Sequence, residues 1–231
     1  MKLDNLKIDK KLTGNFFFFA ADNVYFDLYG KVLALSLLKH ANWSKIHVHF
    51  YNQTPEQAAW CDKKGVTHTN EVLDRNHPEF RTLCACVRFI RIPEIFEDTA
   101  KILSFDCDVI ANKSIPQEKF LEDTNKSKVT LKKGNRALAS TVTFGDDSFR
   151  HEFRERLVHH FSIDNIYWFL DQDVLDEMIK ENRLGTMFLE WTGTKMSNDQ
   201  MIWTAKGERK HSKPQYQALI NRYLAEDKGK Y

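Results

Sequence analysis

The apolar positions of the chain fall into two periods, and the switch between them marks out the elements. Phe16-Phe17-Phe18-Phe19-Ala20-Ala21 is an unbroken apolar run that stops at Asp22-Asn23, the pattern of a strand buried on both faces. Lys31 to His40 then puts Val32, Leu35 and Leu38 on one helical stripe, widened by Leu33 and Leu37. Ile46 to Tyr51 alternates apolar residues with His47 and His49 and predicts a second strand. Thr54-Pro55-Glu56 opens a helix, with Thr54 as its N-cap and Pro55 in its first position, and Gly65 closes it. A short third strand is expected near Val66 to Thr69. A longer helix follows from Glu79 to Ile92, ended or kinked at Pro93.

The β-α-β-α order predicts an α/β fold with a mostly parallel central sheet flanked by helices, in a single compact domain. The next apolar run, Lys101 to Ile110, carries Asp106-Cys107-Asp108 at its end. If that strand is parallel to the first, Asp22 and Asp106 both lie at carboxyl ends of strands, where open α/β sheets bind ligands. Beyond it the pattern loosens. A polar segment from Pro116 to Asn135 precedes an apolar stretch from Ala137 to Phe144 and a charged helix from Ser148 to Phe161. Tyr167-Trp168-Phe169-Leu170 leads into Asp171-Gln172-Asp173, which reads most simply as the cap of a helix from Val174 to Glu181. A functional role for that triplet requires it to come near Asp106. Aromatic-rich runs at Met187 to Thr192 and Gln200 to Thr204, a cationic cluster at Lys206 to His211 and a last helix near Gln215 to Glu226 complete the chain.

Composition narrows the classes. The 231 residues carry 34 basic and 32 acidic side chains, a net charge of +2, which argues against a nucleic-acid footprint spread over the whole chain. Cys61, Cys84, Cys86 and Cys107 form no C-x-x-C pair, so zinc-knuckle and thioredoxin readings fall away and reduced thiols are expected. The charged start, residues 1–14, lacks an apolar signal core, and no run is long enough to span a bilayer; a soluble, cytoplasmic protein without a membrane span is the expectation. The sequons at Asn42, Asn52, Asn112 and Asn125 then carry no glycan. Neither G-x-G-x-x-G, G-x-x-x-x-G-K-[ST] nor G-x-S-x-G occurs, which removes nicotinamide-type, P-loop and α/β-hydrolase readings.

The chemistry that remains is that of hard oxygen ligands. Asp106 and Asp108, two residues apart on an extended backbone, share one side and suit Mg²⁺ or Mn²⁺, with a partner's phosphates completing the shell. Asp22-Asn23 supplies acceptors and donors at a strand end, which can serve a base or ribose or simply a turn. The Lys206 to Lys210 cluster, with Gly207 inside it, suits either a solvated face or a phosphate.

Taken in order, FFFFAADNVYF, CVRFIRIPEIF, ILSFDCDVI and WFLDQDVLDEM resemble the GT-A-fold glycosyltransferases, and in particular glycosyltransferase family 8 with its viral and bacterial relatives. The resemblance covers roughly residues 16–180 in outline. It implies a metal-dependent enzyme that moves a sugar from a nucleotide-sugar donor, a UDP-sugar, to a glycan or other hydroxyl acceptor, with retention of configuration. Ala21, Asp22, Asn23 and Tyr25 would lie at the base and ribose. Asp106, Cys107 and Asp108 would lie at the diphosphate and its Mn²⁺ or Mg²⁺, and Arg88 would support the donor. Gln172, flanked by Asp171 and Asp173, would stand near the reacting carbon. Lys206, Gly207, Arg209 and Lys210 would close over the donor as part of a C-terminal segment spanning residues 187–231. The family's H-x-x-G-x-x-K segment has no clear counterpart, since Glu190-Trp191-Thr192-Gly193-Thr194-Lys195 and Trp203-Thr204-Ala205-Lys206-Gly207 compete for it without a histidine. The third metal ligand is thus unassigned, with His211 a substitute. A sugar-1-phosphate nucleotidyltransferase is the enzymatic rival, and a nucleotide- or nucleic-acid-binding module using Lys206 to Lys213 the non-catalytic one.

Overall fold

The computed structural model of the chain describes residues 6, 8–132, 136–145, 147–187, 192–193, 200–204 and 212–229. Its organising strand is β1 (Asn15–Asp22), in which Phe16 to Phe19 are all essentially inaccessible to solvent. Alternation along the strand sends Phe16 and Phe18 into one core cluster and Phe17 and Phe19 into another on the opposite face. β1 pairs in parallel with β2 (Lys45–Tyr51) on one side and with β4 (Lys101–Asp106) on the other. β3 (Thr67–Glu71) adds a parallel edge beyond β2. The expected parallel relation of the Phe run and the Asp106 strand is therefore present. With Ala20 paired to Asp106, the ends of β1 and β4 share one sheet edge.

The helices between these strands follow the predicted order. Helix α1 (Lys31–His40) follows a π-helical turn at Phe26–Gly30. Helix α2 (Pro55–Lys64) starts with a reciprocal capping box between Thr54 and Gln57 and ends at Gly65, whose φ of 67° is left-handed. Helix α3 (Phe80–Ile95) differs from expectation. It does not stop at Pro93 but runs through it to Ile95, because a proline in the last turn forfeits one hydrogen bond while its buried ring stays in the core.

The segment from Pro116 to Asn135, read as polar connection, contains helix α4 (Gln117–Asp123) and part of the sheet, β6 (Lys128–Lys132). Phe120 and Val129 are fully buried there, and a register shift at Val129/Thr130 breaks the alternation that would have shown the strand. β7 (Arg136–Phe144) runs antiparallel to both β4 and β6, and β8 (Gly185–Met187) joins β6 in parallel. Among the described residues the order is β3-β2-β1-β4-β7-β6-β8, with β7 the strand that runs against the rest. Gly145, just after β7, packs so closely on Thr124 that a Cβ would sit 1.9 Å from its carbonyl oxygen.

Helices α5 (Asp147–Ser162) and α6 (Leu170–Lys180) cover the same sheet face as α3. A smaller sheet is formed by β5 (Val109–Ala111), β10 (Ile202–Thr204) and β9 (Thr192–Gly193), in the order β5-β10-β9. The final helix, α7 (Pro214–Asp227), packs Tyr216, Ile220 and Tyr223 against Tyr29 and Val32. Among the described residues no helix is long and apolar enough to cross a membrane. Part of the charged start is held in place: Leu12 accepts from Glu97 N and donates to Ile95 O, both at 2.9 Å.

Candidate active site

The carboxyl edge of the parallel strands gathers side chains from β1, β4, α3 and α6, and Arg88 joins three of these elements. Its Nη1 lies 2.5 Å from Asp106 Oδ1, at the end of β4, and 3.3 Å from the Phe105 carbonyl. Its Nη2 donates to the Ala139 carbonyl on β7 at 3.0 Å and lies 3.7 Å from Asp171 Oδ2 on α6. The residue is only 5% exposed, so the guanidinium is committed to protein groups and serves this edge through the carboxylates it holds. Burial opposes the Arg88 charge, but Asp106 and Asp171 outweigh it and push its pKa up. Burial also pushes the Asp171 carboxyl up, with Arg88 only partly reversing the shift.

Asp106 ends β4, and Cys107 and Asp108 form the turn into β5, so the two aspartates do not lie on one extended strand. Cys107 packs inward with Val109 and Ala111, while the Asp106 side chain keeps 37% of its surface exposed after pairing with Arg88. The Asp108 carbonyl accepts a hydrogen bond from the Tyr216 hydroxyl, which ties the C-terminal helix to this turn. Two carboxylates flanking one turn suit a hard divalent cation that takes its remaining ligands from water and phosphate. Among the described residues no group of three His, Cys, Asp or Glu is placed to hold a metal by itself. His211, like Lys206, Gly207, Arg209 and Lys210, lies outside the described residues.

At the end of β1, Asp22 acts as an N-cap, its Oδ1 accepting from Tyr25 N at 2.7 Å. Asn23 accepts at its carbonyl from Gln57 Nε2, 2.7 Å away. Ala21 is buried below them, whereas Tyr25 is 41% exposed, its ring 5.4 Å from that of Tyr29. Arg75, from the loop after β3, reaches this pair. Its Nη2 donates to Asn23 Oδ1 and stands 3.6 Å from Asp22 Oδ2.

Asp171-Gln172-Asp173 is not a helix cap. Helix α6 begins at Leu170, so the triplet occupies its first turn, and the N-cap position belongs to Phe169, which makes no side-chain cap bond. Phe169 takes a left-handed backbone with φ 79°, and the helical rotation that begins after it sends the three successive polar residues in different directions. Asp171 turns inward to Arg88. Asp173 turns outward to Arg136 at 2.9 Å. Gln172 lies between them, half-buried. Arg136 also stacks 4.9 Å from the Phe169 ring centre, and the aromatic rings of Tyr167 and Trp168 remain exposed beside this turn. The triplet thus meets the condition of proximity to Asp106, through Arg88.

Arg75, Gln57, Arg136 and Tyr216 were not identifiable from sequence. Gln57 carried a signal in its capping-box spacing after Thr54, but Arg75 in its loop, Arg136 at the start of β7 and Tyr216 in the last helix have no motif around them.

Comparison with known proteins places this arrangement in a familiar fold. No family model and no curated protein matches the chain. Among solved structures, the galactosyltransferase LgtC in complex with donor and acceptor sugar analogs aligns with a TM-score of 0.63 at 13% identity, over 90% of this chain and 94% of that one. The bifunctional glycosyltransferase WbbM aligns with a TM-score of 0.57 at 14% identity, over 94% of this chain. The glycosyltransferase GlyE of Streptococcus pneumoniae does so with the same score and identity, again over 94% of this chain. The chain spans 52% of the length of WbbM and 64% of that of GlyE. The fold is that of GT-A glycosyltransferases.

Proposed function

We propose that the protein is a glycosyltransferase that moves a sugar from a nucleotide-sugar donor, a UDP-sugar, to a hydroxyl group of a glycan or similar acceptor, with Mn²⁺ or Mg²⁺ held by Asp106 and Asp108. The observation that carries this reading is Arg88 joining Asp106 to Asp171 at the carboxyl edge of the sheet. This edge is where open α/β sheets take ligands.

In this reading the acceptor oxygen forms a new bond to the anomeric carbon while the bond from that carbon to the diphosphate oxygen breaks. The nucleoside diphosphate leaves, and the proton of the acceptor hydroxyl passes to the diphosphate oxygen that departs. A divalent cation bound by the two aspartates supplies Lewis acidity to the departing diphosphate. Arg88 holds Asp106 and Asp171 in place, so that neither carboxylate must be reoriented when substrate binds. Gln172, on the turn that Asp171 anchors, offers an amide to the sugar. Tyr167 and Trp168 offer aromatic faces beside it, which suit the apolar face of an acceptor sugar ring. Retention of configuration is part of the proposal through the resemblance of the motifs.

The test is release of UDP from a panel of UDP-sugars by the purified protein with Mn²⁺, with and without a chelator. Release that stops on chelation supports the reading; absence of release from every sugar, together with no binding of UDP, contradicts it.

A further inference from the structure

Arg75 sits where it can decide which base the donor carries, an inference that rests on the nucleotide-sugar reading above. Its loop is clamped rather than loose. Asn52 donates through Nδ2 to the Leu73 carbonyl at 2.9 Å and accepts from Leu73 N at 3.2 Å. Asp74 accepts from Asn76 N at 2.9 Å. From this clamped loop the Arg75 guanidinium reaches past the end of β2 to Asp22 and Asn23 at the end of β1.

The hydrogen-bonding logic of the contact is one-sided. A guanidinium can only donate, so the amide edge of Asn23 that faces it must be the oxygen. The Asn23 amide nitrogen then points the other way, and it has no hydrogen-bond partner among the described residues. The Asn23 carbonyl is already taken by Gln57 and one Asp22 oxygen by Tyr25 N, so neither backbone nor cap can rotate to relieve the arrangement. What this strand end offers a ligand is a fixed amide donor beside the remaining N–H groups of Arg75.

We propose that Arg75 is a specificity-determining positioning residue. By locking the Asn23 amide with its donor edge outward, it selects a base whose facing edge carries carbonyl oxygens, uracil, over cytosine. Uracil presents a carbonyl oxygen at the position where cytosine carries an amino group. A cytosine amino group meeting the Asn23 donor leaves two N–H groups facing each other, which weakens binding by about tenfold or more. With Arg75 absent the amide turns freely and offers its oxygen to cytosine instead.

The experiment is calorimetric titration of UDP and of CDP, each with Mn²⁺, into the parent protein and into Arg75→Ala and Arg75→Lys. The parent binds UDP at least about tenfold more tightly than CDP. Arg75→Ala brings the ratio close to one, chiefly by strengthening CDP, and Arg75→Lys, which still donates, keeps part of it. Since the Arg75 side chain is 43% exposed, melting temperatures of the variants match the parent's. An Arg75→Ala protein with the parent's UDP-to-CDP ratio, or a parent with no preference, overturns the assignment while leaving the nucleotide-sugar reading intact. A parent that binds neither nucleotide overturns both.

Discussion

Arg88 and Asp171 meet beneath the surface, 3.7 Å apart, with their side chains 7% and 6% exposed. The same guanidinium touches Asp106, so a helix of the first half of the chain and a helix of the second are drawn to one strand end by a single cation. Two carboxylates around one buried guanidinium is a charge-specific arrangement, and its removal has consequences for both fold and site.

Arg88→Ala leaves Asp171 buried without its cation. The expected cost is about 3–5 kcal/mol of unfolding free energy, the range for orphaning one member of a buried pair, read by urea denaturation. Arg88→Lys retains the charge but not the fork that serves Asp106, Asp171 and two carbonyls at once, and lies between the parent and Arg88→Ala.

Asp171→Asn keeps the shape and leaves Arg88 paired with Asp106. Stability falls by no more than about 1–2 kcal/mol, whereas the proposed sugar transfer, read as UDP release, falls by at least about tenfold, because the first turn of α6 loses the charge that docks it. Equal losses in the denaturation curve and in activity per folded molecule would make Asp171 structural only.

A second buried network, on the β2–β3 side of the same sheet edge, sets the acid limit of the fold. His47 lies 3.0 Å from both Thr67 and Thr69, and His49 lies 2.8 Å from Thr69 and 2.7 Å from Glu71. Arg91 pairs with Glu71 and Glu94. Burial pushes His47 well below its ordinary 6.5, and His49 is also lowered. Burial alone would raise Glu71, but the bonds from His49 and Arg91 bring it from 4.5 down to about 2. All three groups have depressed values in the folded state, so their contributions are complete at high pH and lost on acidification. The histidine part begins to fade as pH drops through 6.5, and the Glu71 part, on the order of 3 kcal/mol, fades from 4.5 toward 2. Urea midpoints measured from pH 7.5 to 4 should fall steadily, and Glu71→Gln should flatten the lower limb. A pH-independent midpoint would contradict this assignment.

Gly145→Ala places a methyl group against the Thr124 backbone, which cannot swing aside as a side chain can. A loss of at least about 2 kcal/mol is expected, measured by thermal unfolding, with no change in which nucleotide binds.

What could be read in advance follows from how local each signal is. Phe16 to Phe19, the Thr54-Pro55 helix start and the Asp106-x-Asp108 turn declare themselves within a few residues, and a parallel sheet puts their ends on one edge. Arg88 could be singled out in its helix, but its burial between two carboxylates depends on α6, which arrives from far along the chain. β6 was hidden because only Val129 and Leu131 are apolar between its terminal lysines and its register shifts between Val129 and Thr130. His47 and His49 imitate the solvent side of a half-buried strand. They are buried because the neighbouring edge strand offers Thr67, Thr69 and Glu71 as partners. Nothing around Arg75 marks it, since its role depends on three strand ends meeting.

Whether Asp106 and Asp108 hold a divalent cation on the donor diphosphate, as proposed, is decided by titration of UDP with and without Mn²⁺ into the parent, Asp106→Asn and Asp108→Asn. Asparagine at Asp106 keeps an oxygen for Arg88 while removing the charge. The parent is expected to bind UDP in a Mn²⁺-dependent manner, and each variant to lose about tenfold to hundredfold of that affinity while remaining folded. Equal UDP affinity in parent and variants, or binding indifferent to Mn²⁺, would contradict it.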